Sequence, residues 1–211
     1  MNHSSPDTGL RNDITSEEQL NDLYGEKNPN SLAKEIDYIS KSYETFISKS
    51  PFVVVSTCGP EGLDSSPRGD PAGFVRVLDR STVAIPDRPG NNRLDSLRNL
   101  IRDPRISLLF LIPGIRETLR INGRARISTD HELLESFAIN GKIPKTVLVV
   151  TAERIYFQCS KAMVRSKLWL QESHVERSEV PTAGAILQEI SNDEFDGHEY
   201  DRNYPDRIMK T

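Results

Sequence analysis

The sequence predicts a mainly β protein, an antiparallel barrel of six to seven strands with peripheral helices. Short β-branched and apolar runs recur through the middle two-thirds of the chain, with turn residues and few long helices between them. No Gly-x-Gly-x-x-Gly follows the first such run, and no phosphate loop ends in Gly-Lys-Ser/Thr. The two common α/β nucleotide folds therefore lose their signatures.

The elements follow in order. Residues 1–14 are polar, and Thr15-Ser16-Glu17-Glu18 reads as a capping box for a short helix stopping at Gly25. A longer helix is expected over 32–48, because Leu32, Ile36, Ile39, Tyr43, Phe46 and Ile47 share one face at helical spacing. Strands are expected over 52–57 and 63–68, joined by the turn Gly59-Pro60-Glu61-Gly62, and over 74–78 and 82–85, joined at Asp79-Arg80. Leu94, Leu97, Leu100 and Ile101 mark a helix ending before Asp103-Pro104. Strands over 105–112 and 117–127 flank Pro113-Gly114, a helix over 130–139 stops at Asn140-Gly141, and two strands fill 146–150 and 154–157. Ser160 caps a helix reaching Trp169. Beyond Glu172 the chain reads as polar, with one helical stretch over 183–190 and an acidic tail.

Composition narrows the function classes. At 211 residues with 36% hydrophobic content the chain can bury one substantial core. Mean hydropathy is −0.51 and the pI is about 5.7. The net charge of −4 gives no bulk attraction for nucleic acid. No apolar run approaches the ~20 residues of a membrane-spanning helix. Cys58 and Cys159 have no metal-ligand spacing, and the histidines at 3, 131, 174 and 198 form no pair. Two cysteines without a signal peptide fit a reducing cytoplasm.

The basic residues are unevenly placed. Between Lys49 and Lys142 there are twelve arginines and no lysine. Arginine presents a planar fork that grips phosphate or carboxylate, where lysine is a point charge. The loop Asp87-Arg88-Pro89-Gly90-Asn91-Asn92-Arg93 leads into a helix N-terminus, a construction suited to a phosphate monoester. Ordinary solvated surface arginines remain the alternative. Arg68 could equally form a strand-end ion pair with Asp70 or Asp64.

Four segments resemble the pyridoxamine 5'-phosphate oxidase-like flavoproteins, the FMN-binding split-barrel family. They are Ser65-Ser66-Pro67-Arg68-Gly69-Asp70; Val83-Ala84-Ile85-Pro86-Asp87-Arg88 with Gly90-Asn91-Asn92-Arg93; Glu117 to Arg124; and Tyr156 to Ala162 with Arg165-Ser166-Lys167-Leu168-Trp169. The chain looks like a subgroup with an N-terminal helical extension: 1–30 polar and helical, 31–172 the split barrel, 173–211 a polar C-terminal extension.

The resemblance implies FMN as cofactor. Arg68, Gly69, Arg88, Asn91, Asn92 and Arg93 would lie on the phosphate side, and Val83, Ile85, Pro86 and Asp87 along the ring. Thr118 and the Leu119 amide would serve the flavin N5 and O4 edge, unless Thr118 is an ordinary strand threonine. Lys161, Arg165, Ser166 and Trp169 would reach the flavin or substrate from the neighbouring subunit; a solvent-side basic stripe anchored by Trp169 is the other reading. The implied protein is an FMN-dependent oxidoreductase, a cytoplasmic homodimer with flavin at the interface and a small-molecule substrate or NAD(P)H as donor. A non-catalytic flavin-binding or sensing protein, and a barrel using haem or a deazaflavin, are the alternatives. Two features depart from the oxidase proper: the phosphate loop reads Asn92-Arg93-Leu94 where an arginine-lysine pair is usual, and no C-terminal tryptophan-arginine substrate segment is found. Cys159 next to Lys161 could be an activated thiol or a small residue at a strand–helix junction.

Overall fold

The computed structural model describes residues 13–25 and 29–205. The chain divides into two compact units, Met1–Glu35 and Ile36–Thr211. The first holds α1 (Glu17–Tyr24) and α2 (Pro29–Ala33). The Ser16 side chain caps α1 by accepting from the Gln19 amide, so the cap lies one residue beyond Thr15.

The second unit contains α3 (Lys41–Lys49), β1 (Phe52–Gly59), β2 (Gly62–Gly69), β3 (Arg76–Val77), β4 (Thr82–Asp87), α4 (Asp95–Arg102), β5 (Arg105–Leu111), β6 (Thr118–Ser128), α5 (His131–Ser136), β7 (Thr146–Gln158) and α6 (Lys161–Ser166). Two short 3-10 turns, Gln171–Ser173 and Arg177–Glu179, then lead to α7 (Ala183–Ile190) and α8 (Gly197–Arg202).

All seven strands form one antiparallel sheet in the order β2-β1-β5-β6-β7-β4-β3. Its edge strands, β2 and β3, are consecutive in the chain and joined only by residues 70–75. Laid flat, six inter-strand spacings would separate them by roughly 29 Å. The linker can span at most about 25 Å when fully extended, and it is not extended, because Phe74 donates to the Pro71 carbonyl at 3.2 Å. The sheet must therefore curl, which brings its two ends toward each other. This is the split barrel, with those ends as its seam.

Alternation along each strand fills the interior. Val53 and Val55 of β1, Ile106, Leu108 and Phe110 of β5, Leu119 and Ile121 of β6, Leu148, Val150 and Ile155 of β7, and Val83 and Ile85 of β4 form one buried cluster. Ile47 of α3 and Leu100 of α4 join it. A smaller cluster on the opposite face packs Leu134 and Phe137 against Ala84, Val147 and Val149.

Two expectations about elements need correction. The periodic run over 32–48 is not one helix: Ile36 exchanges both backbone hydrogen bonds with Ile155 (3.0 and 2.8 Å), and the Ile39 amide donates to Arg80. Ser40 then caps α3 through the Tyr43 amide. The apolar period reported burial correctly but not conformation, since Ile39 joins the core and Ile36 packs against it from non-helical backbone. The strands over 146–150 and 154–157 are one strand, β7, carrying an inserted Glu153 where Asn122 faces Arg154 and Gly123 faces Ala152. Within the acidic tail Asp196 caps α8 by accepting from the Glu199 amide, a helix the sequence reading did not specify.

Gly123 marks the tightest approach in this barrel wall: a Cβ there would overlap the Thr151 carbonyl at the bulge. Gly123→Ala is expected to lower stability by about 1–3 kcal/mol, read as an earlier urea midpoint. An unchanged midpoint would contradict that packing.

Candidate functional site at the barrel seam

The side chains that cross the seam are charged. Arg68, near the end of β2, lies with its Nε 4.0 Å from Asp87 Oδ1 at the end of β4. Asp70, just past β2, accepts from Arg88 Nε at 2.7 Å. β2 is one edge of the sheet and β4 lies next to the other edge, β3, so these contacts bridge the two ends of the order. Neither pair is freely solvated: side-chain exposures are 26% and 20% for the first and 26% and 13% for the second. Arg68 thus pairs with neither Asp70 nor Asp64. Asp64 instead accepts from Ser66 (3.2 Å) and from buried Ser96 of α4 (2.7 Å), fastening α4 to β2.

Each arginine is held along one edge and free along another. Arg68 Nη1 donates to the Pro67 carbonyl at 3.0 Å, and Arg88 Nη1 to the Phe137 carbonyl at 2.9 Å. Among the described residues neither Nη2 has a partner. Phe137 is itself fixed, buried in the smaller cluster with the Arg76 guanidinium over its ring at 4.1 Å. Thr146, the cross-strand partner of Asp87, carries a buried hydroxyl with no hydrogen bond. Free donors and an orphaned hydroxyl thus adjoin one pair of strand ends.

Burial pushes the Asp87 carboxyl above the ordinary aspartate range, against the opposing pull of Arg68 and Lys145.

The loop between β4 and α4 turns sharply. Asn91 Oδ1 accepts from the Arg93 amide at 3.1 Å, and Asn92 and Leu94 adopt φ of 58° and 60°. Leu94 gives α4 no side-chain cap, which leaves its first amides without that acceptor. Arg93 pairs with Asp95 at 2.8 Å and its side chain is 75% exposed. It faces a cleft of about 390 Å³ shared with Asp64, Arg98 and Arg102, so the structure groups Arg68, Asp87 and Arg88 but sets Arg93 apart.

Sequence comparison adds the lineage. Residues 39–159 match the family model described as pyridoxamine 5'-phosphate oxidase. The chain belongs to the pyridoxamine 5'-phosphate oxidase family. No curated protein matches it significantly. Similar solved structures include HupZ of Group A Streptococcus, at 20% identity and TM-score 0.45 over 56% of this chain and 91% of that one. General stress protein 26 of Bacillus anthracis gives 18% identity and TM-score 0.40, covering 54% of this chain and 88% of that one. An FMN-binding protein of Syntrophomonas wolfei gives 14% and 0.44, covering 68% and 93%.

In this family member the remaining candidate residues fall in different surroundings. The Val83 and Ile85 side chains are buried in the core, and Pro86 is buried too, so only their main chain can meet a ligand. β3 pairs with Ala84 and Val83 alone, leaving Ile85 to Asp87 paired only on the β7 side. Gly69 closes β2 opposite Phe52. Thr118 is buried rather than an exposed strand threonine, and Leu119 is buried between Phe110 and Phe157.

The stripe expected on the last barrel helix does not form. α6 ends at Ser166 because Lys167 takes a left-handed conformation, φ 54°. Trp169 therefore leaves the face shared by Lys161 and Arg165, and its Nε1 donates to the Ile115 carbonyl at 2.8 Å. Ser160 gives α6 no side-chain cap, and the Ser166 hydroxyl donates to Met163 O. Cys159 is exposed rather than buried at its junction.

Asp70, Lys145, Thr146 and the Phe137 carbonyl are the seam groups that sequence reading did not assign. Asp70 could have been found, since it ends the Pro67-Arg68-Gly69-Asp70 run. The Phe137 carbonyl had no signal, lying 49 residues from Arg88.

A raised Asp87 pKa means the native protein holds that proton more tightly than the unfolded chain. The resulting stability cost is present above the raised value and vanishes as pH falls below the ordinary value of about 3.9. Asp87→Asn should therefore be at least as stable as the parent in urea at pH 7, with the gap closing on acidification. A less stable variant at pH 7 would contradict a net cost of ionisation.

Proposed function

We propose that this protein is an FMN-dependent oxidoreductase whose seam arginines, Arg68 and Arg88, hold the flavin phosphate. The observation that carries this reading is the pair of half-anchored guanidiniums, Arg88 held by Asp70 and the Phe137 carbonyl, Arg68 by the Pro67 carbonyl beside a looser Asp87, each with an unpartnered Nη2. The donor set fits a phosphate monoester: directional N–H groups, the orphaned Thr146 hydroxyl and the uncapped start of α4. Arg93, paired with Asp95 and facing its own cleft, stands outside this set. The free edge of Ile85 to Asp87 offers main-chain groups to the ring. Membership of the pyridoxamine 5'-phosphate oxidase family supports the choice of FMN.

Bound FMN supplies hydride or electron transfer through N5, so the chain needs no side-chain nucleophile. Its own residues bind the phosphate, orient the ring edge and exclude water from the apolar wall behind it. The proposed assembly is a homodimer with flavin at the interface. Exposed Val164, Leu168 and Leu170 around α6 are apolar surface that a second copy would cover. NAD(P)H or another small molecule is the proposed electron donor. Two free cysteines support a cytoplasmic setting. Among the described residues no helix is long and apolar enough to cross a membrane.

Purified protein is expected to be yellow with FMN-like bands, and NAD(P)H should bleach them. Arg68→Ala and Arg88→Ala should each weaken FMN binding by about 10-fold or more, from charge-assisted bonds worth roughly 1.5–3 kcal/mol, while barely affecting riboflavin. Full FMN affinity in the double variant would remove the phosphate assignment. Flavin that binds but is never reduced would leave a binding protein in place of an enzyme.

A further inference from the structure

The four charges at the seam cancel. Arg68 and Arg88 are matched by Asp70 and Asp87, so these pairs carry no excess charge to draw a phosphate, and Lys145 beside Asp87 adds a single cation. What remains is direction: N–H groups held where an oxygen can meet them. Such recognition depends on whatever fixes the guanidinium plane.

Arg88 is fixed from two separate elements. Asp70 Oδ2, at the end of β2, takes the Nε–H at 2.7 Å, and the Phe137 carbonyl, at the end of α5, takes an Nη1–H at 2.9 Å. With side-chain exposure of 13% against 26%, Asp70 is more buried than the Arg88 it holds. Two contacts on two edges define the plane of the fork and leave Nη2 as the presented corner. Without Asp70, an arginine on a loop followed by Pro89 and Gly90 would recover its rotamer freedom and lose it again at each binding event.

We propose that Asp70 is a positioning residue for anion capture, presetting Arg88 so that its free Nη2 meets the ligand phosphate. This rests on the FMN reading above. Asp70 does not touch the ligand; it acts through Arg88. The same carboxylate also ties the seam, so its effect on phosphate must be separated from an effect on folding.

The test compares FMN with riboflavin, which lacks the phosphate, by flavin fluorescence quenching. Wild type, Asp70→Asn, Arg88→Ala and the double variant are titrated with both, and thermal melts confirm folding. Asp70→Asn is expected to lower the FMN-over-riboflavin preference by about tenfold and leave riboflavin affinity unchanged. In the Arg88→Ala background it should add nothing further. Asp70→Glu, which keeps the charge but displaces it by one methylene, should give an intermediate preference, and it is the variant read if Asp70→Asn does not fold. An unchanged preference in Asp70→Asn, or in Asp70→Glu where that is the variant read, overturns the positioning role while leaving the FMN reading intact, provided Arg88→Ala loses preference. Equal, additive losses for both flavins would reduce Asp70 to a structural tie and also overturn it. A wild-type protein that does not prefer FMN to riboflavin would remove the phosphate reading and this inference together.

Discussion

The barrel closes on a chain-length constraint, and the constraint places charges where they meet. Because β2 and β3 are the sheet's opposite edges yet are joined by six residues, the wall must curl, and its ends come close enough for side chains to cross. No backbone ladder joins the two edges in the strand order. Side chains fill that role: Arg68 to Asp87, Asp70 to Arg88, and the Ser96–Asp64 hydrogen bond that draws α4 onto β2. A seam bonded by side chains can offer spare donors to a ligand, which a seam bonded by backbone could not.

That arrangement has a cost visible at Asp87. Its carboxyl sits in a partly dehydrated corner where neither Arg68 nor Lys145 fully compensates for lost water. The ion pair at 4.0 Å is loose, while Asp70 and Arg88 meet at 2.7 Å. The two crossings therefore differ in character. The tight one orients an arginine, and the loose one leaves Arg68 free to adjust. Opposite them, the smaller hydrophobic cluster holds α5 against β4 and β7, which is why a helix-end carbonyl reaches Arg88 at all.

Much of this was legible in the residues. The strand runs, their antiparallel character and the arginine loop follow from alternation, turn chemistry and the lack of nucleotide-fold signatures, though the last two runs proved to be one strand, β7. Burial was read correctly even where conformation was not: Ile39 joins the core and Ile36 packs against it, but a β-bridge to Ile155 outweighed their helical spacing. Tertiary hydrogen bonds of that kind leave no local trace. The same holds at the site. Arg68 and Arg88 stood out by type and position, whereas their partners could be fixed only by closing the barrel, since nothing local favours Asp87 over Asp70 for Arg68. Trp169 shows the opposite error, where regular spacing continued a helix past a left-handed Lys167.

The central claim is that the guanidiniums which close the barrel also grip a phosphate. A crystal structure of the protein grown with FMN tests it most directly. The flavin phosphate is expected within hydrogen-bond reach of Arg68 and Arg88 Nη2, with Asp70 still on Arg88 Nε. A flavin whose phosphate lies elsewhere, with both seam arginines unmoved and untouched, would contradict it.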